Sequence, residues 1–133
     1  MQMDILRILT IASSLIVFIG AGHGIAPIGL FEVVILSDLR NLHLNISGSY
    51  DDRLPTVALL SLLGQCFLIS SFFFDSNLKQ KLTLTGCLIL FAAVFILTTD
   101  PQNLSTLSFL TALPFIATAL FLSIKELRAL TNN

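Results

Sequence analysis

Charge is what this chain has least of. Its 133 residues include 7 lysines and arginines and 8 aspartates and glutamates, so 11% are charged. A soluble domain carries about a quarter. The basic residues (Arg7, Arg40, Arg53, Lys79, Lys81, Lys125, Arg128) are scattered. No basic stripe exists to neutralise phosphates, which argues against nucleic-acid binding. Tryptophan is absent and Tyr50 is the single tyrosine, so the aromatic belt that marks many membrane interfaces is missing. The two cysteines, Cys66 and Cys87, stand inside apolar runs without a CxxC spacing or a nearby histidine. That excludes a zinc site of the usual spacing and leaves them as small, reduced hydrophobes.

Catalytic motifs are missing too. Gly20-x-Gly22 needs a third glycine at position 25, where Ile25 stands, and Gly24 to Gly29 is followed by Leu30-Phe31 rather than Lys-Ser/Thr. Neither phosphate-binding loop is therefore present, and no GxSxG elbow occurs. The expectation is a non-enzyme without metal or cofactor.

What is present is apolar length. Hydrophobic residues make up 55% and mean hydropathy is +0.92. A bilayer core of about 30 Å needs roughly 20 apolar residues in a helix. Four stretches approach that length, about 5–22, 54–74, 82–99 and 104–124. The fold class expected is all-α: a single four-span membrane bundle over residues 1–133, with an external elbow and loop at 23–53. The first run is too long for a signal-peptide core and follows a start with one acid and one base, so it reads as a retained helix.

The organising stretch is Gly20-Ala21-Gly22-His23-Gly24-Ile25-Ala26-Pro27-Ile28-Gly29-Leu30-Phe31-Glu32. Its glycines and proline loosen the helix where the chain is leaving the hydrocarbon. Pro27 suits the first turn of a new helix, whose apolar face would be Ile28, Phe31 and Ile35. Such a helix would lie along the interface. His23 and Glu32 then become the polar groups of a ligand, lipid or metal site, with His43 as a third member. Gly20 and Gly24 form a GxxxG spacing for close helix approach, if helix persists that far. Gly64 and Gly86 are further helix-packing positions. Gln65, deep in the second span, needs a partner such as Thr85, Thr111 or Thr118, or another copy of the chain. No charged residue falls in the central third of any span, which counts against an active transporter.

Orientation follows from the flanks. Arg7, Lys79, Lys81, Lys125 and Arg128 share one side, Arg40 and Arg53 the other, which places both termini in the cytoplasm. The expected partners are the lipid bilayer and the chain itself or other membrane subunits. A passive oligomeric pore around Gln65 is a further alternative.

Overall fold

The computed structural model describes residues 2–21, 24–37, 43–99 and 103–131. Element order is α1 (Gln2–Leu15), β1 (Phe18–Ala21), β2 (Gly24–Pro27), α2 (Ile28–Ser37), α3 (Tyr50–Ser70) with a 3₁₀ turn at Ser71–Phe73, α4 (Ser76–Thr98) and α5 (Asn103–Thr131). Three helical stretches are long and apolar enough to cross a bilayer: Tyr50–Phe73, Asn77–Thr98 and Ser105–Thr131.

The expected first helical span, 5–22, needs correction. Helix α1 stops at Leu15, and an antiparallel hairpin follows, with Phe18 opposite Pro27 and Ala21 opposite Gly24. The physical reason is local. Ile16-Val17-Phe18-Ile19 is a β-branched and aromatic run that suits a strand, and the glycines after it weaken a helix. Helix α1 is about 21 Å long and β1 adds about 13 Å. Helix α1 by itself is shorter than a hydrocarbon core of about 30 Å.

The hairpin's outer edge is satisfied by hydroxyls. Phe18 N–H donates to Thr111 Oγ1 at 3.0 Å and Gly20 N–H to Tyr50 OH at 3.2 Å. Tyr50 OH in turn meets Ser108 Oγ at 2.8 Å. Irregular backbone inside an apolar bundle survives only where such partners reach it. Because Phe18 N–H points to Thr111, Pro27 opposite it forfeits no ladder bond. The ladder closes with Ile28 N–H on Val17 O at 2.8 Å. Gly20 therefore sits in a strand, not in a GxxxG helix face. Gly24 is also in a strand, and a Cβ there would meet nothing within 4 Å, so it packs against no helix.

The long helices pack as neighbours in sequence. Ser49 starts α3 through a capping box: Asp52 N–H donates to Ser49 Oγ while Ser49 N–H donates to Asp52 Oδ2 at 3.1 Å. Ser49-x-x-Asp52 satisfies two orphan backbone donors reciprocally. Helices α3 and α4 meet at Gly64 and Gly86, where an added Cβ would lie 3.0 Å from Gly86 O and 2.8 Å from Gly64 O respectively. Only glycine permits that backbone approach. The core runs through Leu54, Val57, Leu68, Leu90, Leu97, Phe115 and Leu122, joined by Val17 and Ile19 from the hairpin region. Arg53 lies at the opposite end of the bundle from the termini and donates to Ile96 O at 3.1 Å, near the last carbonyls of α4. A cation there complements the helix dipole.

Candidate functional site: two buried carboxylates

Among the described residues, two clusters built on buried carboxylates interrupt the apolar interior. The first joins the ends of three helices. Arg7 on α1, 2% exposed, pairs with Glu126 on α5, 0% exposed, and donates through Nε to Thr83 Oγ1 on α4 at 3.0 Å. Its remaining nitrogen reaches Asp4 Oδ1 at 2.6 Å, and Lys79 Nζ reaches the same oxygen at 3.0 Å. The Lys79 hydrogen bond, helped by the Lys79 and Arg7 charges, holds the Asp4 carboxyl below its ordinary range. This cluster puts Arg7, Lys79 and the Glu126 end of α5 at one end of the bundle.

The second cluster lies deeper. Ser14 is ten residues beyond Asp4 on α1, about 15 Å along the helix. Gln65 Nε2 stands 3.2 Å from Ser14 Oγ, 3.2 Å from Ser61 Oγ and 3.0 Å from Glu32 Oε1. Ser61 also hydrogen-bonds the Glu32 carboxyl. Glu32 is 3% exposed. It reaches this depth because the hairpin turns the chain back into the bundle and α2 buries one face there: Ile28, Glu32 and Ile35. An enclosed space of about 10 Å³ adjoins the cluster, lined by Ser14, Ser61, Val17, Ile28, Leu90 and Phe115 among others. That is the room of about one water.

The expected site is therefore rearranged. His23 lies outside the described residues. His43 is exposed on the loop before α3, close in sequence to Asn45, whose N–H is held by Thr56 Oγ1 at 2.9 Å near the start of α3. Glu32 instead meets Gln65 in the second half of that helix. The set His23, Glu32 and His43 is not assembled by the described residues, and no group of three or more potential metal ligands occurs among them. The anticipated partners of Gln65 are also corrected. Thr111 serves Phe18, Thr118 meets Ser13 at 3.2 Å, and Ser14, Ser61 and Glu32 take Gln65. The rule that no charge falls mid-span holds for the three long helices, yet α2 carries a carboxyl to comparable depth.

Of the cysteines, Cys87 is 1% exposed. Cys66 is exposed on the bundle surface, and both are free thiols.

Three helices long and apolar enough to cross a bilayer thus pack with a two-stranded hairpin around buried carboxylates. Comparison with protein-family models, curated proteins and solved structures finds no match to this chain.

Proposed function

We propose that the chain is a non-enzymatic integral membrane protein, both termini cytoplasmic, that acts as a self-assembling subunit. The observation that carries this reading is on the α4–α5 face. There a groove of about 480 Å³ is lined by Leu88, Phe91, Ala92, Phe95, Phe109 and Ile116. Leu88, 72% exposed, and Phe95, 71% exposed, form part of its wall. An open apolar groove set against the same face of a second copy gives the isologous contact of a two-fold dimer. Helices in lipid associate through such packing.

The pore alternative weakens because Gln65 faces Ser14 and Glu32 of its own chain rather than an axis between copies.

Mass measurement in mild detergent tests the proposal. A species of twice the 14.5 kDa chain is expected, and Ala92→Trp, which fills the groove, should shift it to monomer. A monomer at every protein concentration would overturn the assembly reading, and a larger co-purifying partner would replace self-association by hetero-assembly.

A further inference from the structure

The charged end of the bundle carries more cations than its own acids neutralise. Five basic residues gather there, Arg7, Lys79, Lys81, Lys125 and Arg128, against Asp4, Asp75 and Glu126, a balance of +2. The remainder of the sequence sets Arg40 and Arg53 against Glu32, Asp38, Asp51, Asp52 and Asp100, a balance of −3 that completes the net charge of −1. The ion pairs gather the five. Arg7 joins α1 to Glu126 of α5, and Lys79 joins α4 to Asp4 of α1. Lys81 follows Lys79 on α4, and Lys125 and Arg128 bracket Glu126 on α5. Arg7 and Lys79 thus face the acids of the cluster, while Lys81 and Arg128 are exposed. Lys125 Nζ stands 4.7 Å from the centre of the exposed Phe121 ring, a cation over an aromatic face.

Two observations put these cations at the level of lipid headgroups. Helix α5 rises through 22 residues from Asn103 to Lys125, about 33 Å. It has therefore crossed a hydrocarbon core of about 30 Å where its first lysine stands. The turn between α3 and α4, at the same end, presents Phe73, 81% exposed, with Phe74 and Leu78 also exposed. Large apolar side chains beside lysines suit the boundary between headgroups and acyl chains, where each has its own solvent.

We infer that this end of the bundle is a docking surface for anionic phospholipid. Phe73, Phe74 and Leu78 sit at the acyl boundary, and Lys81, Lys125 and Arg128 take the headgroup phosphates. Charge complementarity decides the occupant. Each lysine or arginine close to an anionic leaflet adds an attraction that a zwitterionic leaflet does not supply, and both side chains donate charge-assisted hydrogen bonds to phosphate oxygens. The inference rests on the chain being a membrane protein. It does not rest on self-association or on which leaflet the termini face.

The chain has no tryptophan, so a single introduced one reports on the lipid beside it. Phe73→Trp is made at the charged end. Leu110→Trp, at an exposed position near the start of α5, serves for the other end. Each full chain is reconstituted into vesicles of phosphatidylcholine and phosphatidylglycerol, with bromine on the acyl chains of one lipid or the other to quench neighbouring tryptophan. At low salt the Phe73→Trp chain should prefer phosphatidylglycerol by about threefold or more. That preference should fall towards unity at high salt and in the added double variant Lys81→Gln, Arg128→Gln. The Leu110→Trp chain should show no preference. Equal quenching by the two lipids at position 73, or the same preference at both positions, overturns the docking surface. Should the double variant fail to fold, salt carries the test, and a preference that salt leaves unchanged overturns the role of the cations. Absence of quenching by either lipid at either position would instead overturn the membrane reading, and this surface with it.

Discussion

Glu126 and Glu32 are both buried carboxylates, and the chain treats them in opposite ways. Glu126 has a guanidinium against it, a hydroxyl on that guanidinium and a second acid–base pair beyond. Glu32 has an amide and hydroxyls. The first cluster ties α1, α4 and α5 together at one end, where a permanent ion pair costs least. The second sits where the hairpin returns the chain into the bundle. A group that must stay charged is given a fixed partner. Among the described residues Glu32 meets neutral donors and no fixed ion pair.

The largest effect should come from removing the guanidinium. Arg7→Met leaves Glu126 buried and unpaired, which costs about 3–5 kcal/mol. Glu126 Oε2 already lacks a partner among the described residues, so nothing nearby is positioned to compensate. Chemical unfolding in detergent should show the loss. Arg7→Met combined with Glu126→Leu should recover much of it, because well-packed apolar replacements of a buried pair are often neutral. If the double variant is as unstable as the single one, the pair contributes more than charge compensation.

A paired substitution tests the contrast directly. Glu126→Gln loses a charge-assisted bond to Arg7 and should cost about 1.5–3 kcal/mol. Glu32→Gln at acidic pH keeps the shape and removes no counter-charge, so it should change stability by less than about 1 kcal/mol. Equal costs at the two positions would erase the distinction drawn between the clusters.

Gln65→Leu falls between these and the next effect. It takes the amide away from Glu32 and Ser14, and interhelical polar contacts in lipid contribute about 0.6 kcal/mol on average and up to about 1.7. The loss should shrink when Glu32→Leu is added, because no carboxyl then remains to be satisfied. A double-variant cycle on unfolding midpoints measures that coupling, and strict additivity would mean that Gln65 supports α3 packing rather than Glu32.

The three long helices were legible as apolar runs bounded by polar turns such as Asp75-Ser76-Asn77. The hairpin was not. Residues 16–31 are apolar or glycine except for His23, and hydropathy alone does not separate a short strand from a helix in such a run. The usable signal was Ile16-Val17-Phe18-Ile19 ahead of the glycines, a β-rich sequence that helix-length counting absorbed. Misreading it moved Glu32 to the surface, whereas it is buried beside Gln65. The Glu32–Gln65 contact spans 33 positions and the Arg7–Glu126 contact spans 119, so both depend on a fold that hydropathy does not supply. Ser49-x-x-Asp52 was readable as a capping box.

Asp4 offers the smallest and most diagnostic perturbation, because it touches the paired cluster from outside. Its carboxyl is 41% exposed and shared between Arg7 and Lys79. Exposed pairs contribute no more than about 1 kcal/mol and are screened by salt. Asp4→Asn should therefore lower stability by less than that, and less again at high ionic strength. The pH dependence has a definite sign. The folded-state carboxyl titrates below its unfolded value because Lys79 and Arg7 favour the anion. Its contribution is full above the unfolded value and fades as pH falls through the depressed one. Unfolding midpoints of Asp4→Asn and wild type should thus converge in acid and stay apart by a constant amount above the ordinary carboxylate range. Midpoints that remain apart in acid would mean that Asp4 acts through packing and not through its charge.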